Sequence, residues 1–255
     1  MANWVSTFDK IFSSNSASQK SVRKTYFHYK SFNIAYKFID GEYITASALA
    51  NFVGEKDDIK EYEHFFEVTK IPYAESFINT QKDGLFIFCL TEDNTTERFW
   101  KDYASDHKGL CLEFEFKDKM DQGHLYDLRK VFYDDGKQYD FYKNMQEEIF
   151  KGFNKYLLTN GLAKFGALYK RQNFYDWERE TRLLLNWNIY KNELSEIPFF
   201  LESHFGKKFL KIPFDNNLFS LKLISITIGK NLSKTEKKKI QLFASNKGIR
   251  TICEK

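Results

Sequence analysis

The sequence predicts an α+β domain, with a mixed sheet core and flanking helices, from three observations. Strand-like apolar runs recur along the chain; stripes of helical period fall between them without regular alternation; and no self-similarity returns at a period of about 20 to 50 residues. With 255 residues and 42% hydrophobic content the chain can bury one sizeable core, and no stretch reads as a flexible linker. A single domain over 1–255 is the simplest organisation, with an N-terminal helix and loop over 1–20 and the core over 21–255. Because 27 Phe and 15 Tyr stand against only three Pro and twelve Gly, aromatic rings supply much of the core volume or line a pocket.

Taken in order, Trp4, Phe8, Ile11 and Phe12 fall at helical spacing before the polar run Ser13 to Ser18, which reads as a loop. Thr25 to Phe32 reads as a strand, and Tyr43 to Ala46 as a second one after the Asp40-Gly41 turn signal. A helical region follows through Ile59, Tyr62, Phe65 and Phe66. Gly84 to Leu90 is continuously apolar, the mark of a central strand covered on both faces. A helix over Glu92 to Ser105 carries Phe99, Trp100 and Tyr103, whose spacing makes Trp100 and Tyr103 core residues. Leu110 to Phe116 then alternates cleanly, with Glu113 and Glu115 on the face opposite Leu110, Leu112, Phe114 and Phe116; a solvated strand face accounts for that pair. Tyr139 to Leu157 is the longest helical stripe, ended by Asn160-Gly161, and a second helix runs to about Arg171. Two strand-like runs, Phe209 to Phe214 and Leu221 to Ile228, precede a helix announced by the capping-box pattern Ser233-Lys234-Thr235-Glu236 and a final strand over Ile249 to Cys253.

Three widely spaced cysteines, Cys89, Cys111 and Cys253, read as small buried thiols of a reducing compartment, so a cytoplasmic protein is expected. The N-terminus shows no leader pattern and no window approaches 18 apolar residues, so no membrane partner is expected. The net charge of +4 tolerates a polyanionic partner without demanding one. No two glycines are one residue apart, and Gly161 to Gly166 lacks the Lys-Ser/Thr that completes a phosphate loop, which excludes the common nucleotide-binding turns. The five histidines and three cysteines lack zinc-site spacing, so no metal is expected, and no Gly-x-Ser-x-Gly elbow occurs.

The most informative stretch is Trp177-Glu178-Arg179-Glu180-Thr181-Arg182-Leu183-Leu184-Leu185. As a strand it places Glu178, Glu180 and Arg182 on one face, with the carboxylates about 7 Å apart beside a guanidinium, and such a pair can divide acid and base roles. As a helix, Glu178 and Arg182 form an i,i+4 ion pair and Trp177, Thr181, Leu184 and Leu185 make an apolar stripe. Periodicity does not choose between the two.

The run Trp100 to Phe114, followed by Trp177 to Arg182 and closed by Ile224 to Gly229, resembles the bacterial family known as domain of unknown function 2971. Its members read Trp-x-x-Tyr-Ala-x-x-His-x-Gly-x-Cys, then Glu-x-Glu-x-Arg, then a strand ending in Gly. The match covers most of the chain from about Tyr26 onward, and Phe27 to Phe32 fits the family's early aromatic-basic strand. That family is in turn similar to the ADP-ribosyltransferases, which carry a His or Arg on the first core strand, a Ser/Thr strand and a Glu-x-Glu. The resemblance therefore implies an ADP-ribosyltransferase-like core and an NAD-dependent mono-ADP-ribosyltransferase. Glu180 would stabilise the ribosyl cation and Glu178 would orient or deprotonate the acceptor. His28, Tyr29, Lys30, Thr45, Ser47 and Arg182 would bind NAD. It further implies a bacterial toxin or anti-phage defence effector that modifies nucleic acid, RNA ahead of DNA, or protein, with an antitoxin protein as a further partner.

Two other classes compete. A noncatalytic ligand-sensing or interaction module on the same fold fits the diffuse aromatics, and His28 and Tyr29 then read as packed core. A nuclease would use Asp134 or Asp135 with the 178–180 pair to hold magnesium, but the usual acid-x-lysine arrangement is missing. Arg23-Lys24, Lys207-Lys208 and Lys237-Lys238-Lys239 are the densest basic sites, suited to guiding a single strand or serving as solvated faces.

Overall fold

The computed structural model describes residues 25–52, 58–69, 83–119, 126–134, 166–171, 175–187 and 199–254. Its strands are β1 Thr25–Ser31, β2 Tyr43–Ala48, β3 Leu85–Thr91, β4 Gly109–Asp118, β5 Tyr126–Lys130, β6 Phe132–Asp134, β7 Tyr169–Arg171, β8 Glu180–Asn186, β9 Phe200–His204, β10 Lys207–Pro213, β11 Phe219–Ile228 and β12 Arg250–Cys253. Its helices are α1 Phe32–Gly41, α2 Asp58–Thr69, α3 Glu97–Asp102 and α4 Lys234–Lys247, with 3₁₀ turns at Leu49–Phe52 and Asp176–Glu178. The class is α+β with mixed strand pairing, as the patterning predicts. The N-terminal helix, the Tyr139 to Leu157 stripe, Arg23-Lys24 and Asp135 lie outside the described residues.

The described residues form two compact units, one drawn from 46–88 and 122–210, the other from 23–45, 89–121 and 211–255. In the second unit β1 pairs antiparallel with β4, from Thr25 opposite Glu115 to Ser31 opposite Gly109. Strand β4 pairs antiparallel with β11, whose register shifts between Leu223 and Ser225, and β11 pairs in parallel with β12. A glycine is required at 109, because a Cβ there would run into the Lys30 carbonyl and Ala104. Helix α4 starts at the full capping box that its sequence announces: Ser233 Oγ accepts from the Glu236 N–H, and Glu236 accepts from the Ser233 N–H at 3.1 Å. Gly248, at φ 65°, ends it.

In the first unit β5 pairs antiparallel with β8, Leu128 facing Leu183 and Arg129 facing Arg182. All seven residues of β8 are buried. Beside them β6 and β7 form a parallel two-stranded ribbon, Phe132 opposite Tyr169. The Tyr169 ring packs against Phe65 of α2, and the buried Glu61 of α2 accepts from the Arg171 backbone N–H at 2.9 Å and its Nε at 2.8 Å. Alternate residues of β7 thus fasten this helix and, through Lys170, the start of β8.

Several expectations need correction. The Asp40-Gly41 signal is the end of α1 and not a hairpin turn; Glu42 takes the left-handed conformation at φ 53° and caps it. The helix expected over 92–105 is only α3, because Asp93 accepts from the N–H groups of Thr95 and Thr96 and holds the preceding residues in a turn. The residues up to Arg171 end in strand β7, not in a helix. Trp100 is core, but Tyr103 is 43% exposed. Of the cysteines only Cys111 is buried; Cys89 is half-buried and Cys253 exposed.

Candidate functional site

The strand alternative for 177–185 holds from Glu180 onward only. Residues Asp176–Glu178 make a 3₁₀ turn, and Arg179 breaks the run with a left-handed φ of 42° before β8 begins. That reversal removes Glu178 from the strand's period-two face, yet its side chain still returns to Glu180. Both reach the same cation, which sequence reasoning overlooked: Lys170 Nζ on β7 lies 2.7 Å from an oxygen of Glu178 and 2.7 Å from an oxygen of Glu180. Arg182 clamps Glu180 from the other side, Nε to Oε1 at 2.9 Å and Nη2 to Oε2 at 3.1 Å, and Nη1 donates to the Ala167 carbonyl at 2.5 Å. Glu178, Glu180, Lys170 and Arg182 are 4%, 6%, 5% and 1% exposed.

Two acids and two bases sum to zero, the arrangement that makes burying four charges tolerable. The backbone of Glu180 is fixed as well. Its N–H donates to the Tyr133 hydroxyl at 3.0 Å and its carbonyl accepts from the Val131 N–H at 2.8 Å. Burial, with the Glu180 charge beside it, pushes the Tyr133 hydroxyl well above the usual tyrosine range, so this hydroxyl keeps its proton. Lys170 Nζ also lies 4.8 Å from the centre of the Tyr175 ring.

Glu178, Glu180 and Arg182 are therefore brought together, with the guanidinium spent on Glu180 and a backbone carbonyl. Ser47 belongs to the same unit and is half-buried on β2, opposite Ile87. Thr45, also half-buried on β2, belongs to the other unit with His28, Tyr29 and Lys30 of β1.

His28 and Tyr29 match the packed-core alternative. His28 Nδ1 lies 2.7 Å from the Cys89 carbonyl, which can only accept, so Nδ1 carries the proton. Burial and the nearby Lys30 charge push the imidazole down to about 3, leaving it neutral at physiological pH. The Tyr29 ring stacks on Phe99 with centroids 4.9 Å apart and meets the edge of Trp100. Across the ladder Tyr29 faces Cys111, whose thiol burial pushes far up, so it is an inert core thiol. Glu113 is partly covered and accepts from Ser225 Oγ at 2.5 Å.

Among the described residues no group of three or more His, Cys, Asp or Glu side chains is placed to hold a metal ion. No helix among them is long and apolar enough to cross a membrane. Lys170 carried one signal in the sequence, a lysine directly after the apolar run Ala167-Leu168-Tyr169. Two acids entering an apolar strand require such a cation nearby. No protein-family model, curated protein or solved structure matches this chain.

Proposed function

We propose that the chain is an NAD-dependent mono-ADP-ribosyltransferase whose chemistry is carried by Glu180 and Glu178. The observation that supports this most is the shared ammonium: Lys170 lies 2.7 Å from both carboxylates while Arg182 grips Glu180. Two cations favour the charged form of the acids and fix their orientation. A fixed carboxylate is complementary to the positive charge that develops on a ribose as its bond to nicotinamide breaks, so it stabilises the transition state more than the substrate.

In that step the glycosidic bonding pair leaves with the ring nitrogen as neutral nicotinamide. The acceptor's nucleophilic atom bonds to ribose C1, and its proton passes to Glu178. Ser47, half-buried on β2 of the same unit, supplies a hydroxyl. Arg182 is committed to Glu180 and the Ala167 carbonyl and serves as a positioning residue, whereas His28 and Tyr29 are packed core and take no part. The mildly basic chain favours a nucleic-acid acceptor, RNA ahead of DNA, as expected of a bacterial toxin or defence effector restrained by an antitoxin.

The test is nicotinamide release from NAD by the purified chain, alone and with pools of RNA, DNA and protein. Glu180→Gln is expected to lower release by about 100-fold or more. Because Gln removes the charge that Arg182 and Lys170 face, it should also cost stability. Glu178→Gln therefore serves as the discriminating variant, lowering transfer to an acceptor more than hydrolysis of NAD. Absence of nicotinamide in every pool, with folded wild-type protein, would refute the reading.

One observation favours a noncatalytic module instead. The four-charge cluster is balanced and buried, as a structural ion network would be, and a substrate would have to displace Lys170 to approach both acids.

A further inference from the structure

Helix α4 carries five lysines and one glutamate, a charge of +4 that equals the formal net charge of the whole chain. Ile240 and Ala244 are its buried residues, so Lys238, Leu242 and Ser245 lie on the outward stripe. Lys238 is exposed and meets no acidic side chain among the described residues; Leu242 is 63% exposed. Within the same unit, half-buried Tyr36 of α1 meets half-buried Phe243 with ring centroids 6.0 Å apart. Lys239 Nζ sits 3.7 Å over the Tyr36 ring.

We propose that this α1/α4 surface binds single-stranded nucleic acid, with phosphates on Lys238 and Lys239 and a base stacked at Tyr36 and Phe243. Exposed lysines beside half-buried rings suit a single strand, Lys239 turning from the Tyr36 ring to a phosphate as a base takes its place, since every base has a face to stack and every nucleotide a charge to neutralise. A lipid surface would need a broader apolar face than Leu242 and Ile34, the exposed large aliphatics of these two helices, set among lysines. An acidic peptide would use the lysines but gain little from the rings. The binding stands apart from the transferase reading, because it is measured without NAD.

The experiment is fluorescence anisotropy of a labelled oligouridylate of about 12 nucleotides, titrated with the full chain over a range of salt. Lys238→Glu with Lys239→Glu should weaken binding at least tenfold. The same pair should flatten the plot of log Kd against log salt by about 1.4, since each single-strand phosphate left without its lysine accounts for about 0.7. Tyr36→Leu, which retains an apolar contact for Phe243, should weaken binding several-fold and leave that slope unchanged. Lys222→Glu, on an exposed lysine of β11, should change neither. The proposal is overturned if folded wild-type protein does not bind the oligonucleotide, or if the double variant binds as the wild type does. Equal affinity for polyglutamate or for anionic phosphatidylserine vesicles overturns it too, in favour of an acidic protein or a membrane surface.

Discussion

Replacing Lys170 with Met removes the ammonium between Glu178 and Glu180 while keeping an unbranched chain of similar reach. Two oxygens that each lie 2.7 Å from one nitrogen are at most twice 2.7 Å, or 5.4 Å, apart. Two unit charges at that limit repel by about 3 kcal/mol at an effective dielectric constant of 20. That agrees with the roughly 3–5 kcal/mol lost when one partner of a buried ion pair is removed. Arg182 still pairs with Glu180 and offsets part of that repulsion, so the figure is an upper one and the carboxylate left without its cation is Glu178.

The loss should also depend on pH with a definite sign. In the variant the folded state holds a proton on one carboxylate more tightly than the unfolded state does. The contribution of that carboxylate is then fully present below the ordinary carboxylate range and is lost as pH rises through the raised folded value. Denaturant unfolding of both proteins at pH 7 and about pH 4.5 measures this directly. A midpoint at pH 7 unchanged by Lys170→Met, or a deficit that does not shrink in acid, would refute the bridging role of Lys170.

Two further outcomes are expected. His28 is depressed from 6.5 to about 3, so its contribution to stability is whole above pH 6.5 and falls by up to about 5 kcal/mol as pH drops to 3. His28→Asn, which retains a donor toward the Cys89 carbonyl, should flatten the fall of unfolding free energy between pH 6 and 4 relative to wild type; parallel curves would show that folding does not depress His28. The Thr181 hydroxyl is buried with no hydrogen-bond partner among the described residues, so Thr181→Val, of nearly the same shape, should stabilise by about 1 kcal/mol, read as a higher melting temperature, and a lower one would show that the hydroxyl is satisfied.

The strands were legible where period or continuity is strong. The apolar run of β3, the alternation of β4 and the capping box of α4 each specify their element locally, and each stands as predicted. The misses have one kind of cause, a local backbone choice that periodicity does not register. A single left-handed residue at Glu42 ends a helix that reads as a turn, and Asp93 turns five polar residues out of α3. Arg179 does the same at the site, separating Glu178 from β8 while the pair stays together through Lys170. The acids and Arg182 were visible in the sequence because they share nine residues. Lys170, eight residues before Glu178, was signalled only by its place after an apolar run, because it sits on a separate strand, β7, whose pairing periodicity does not register.

The block on which the expected family resemblance rests, Trp100 to Cys111, builds a turn. Ser105, Asp106 and His107 take left-handed φ values of 51°, 53° and 63°, which costs about 1–2 kcal/mol for each non-glycine residue. Such a run persists only where its surroundings over-determine it. Here they do: His107 Nδ1 lies 2.6 Å from Glu254, the His107 carbonyl accepts from the Asn231 N–H at 3.1 Å, and Asn231 Nδ2 donates to the Asp106 carbonyl at 3.1 Å. Trp100 stacks on the His107 ring, Ala104 is fully buried, and Gly229 has no side chain because a Cβ would strike the His107 carbonyl. Every one of these contacts sets the entry of β4 and the end of β11. The Trp, Ala, His and Gly positions of the motif are thus accounted for by packing and backbone geometry alone, and Tyr103 is the one ring of the block left facing outward. A likeness carried by this block bears on how the sheet is built; the case for NAD chemistry rests on Glu178, Glu180 and the lysine between them.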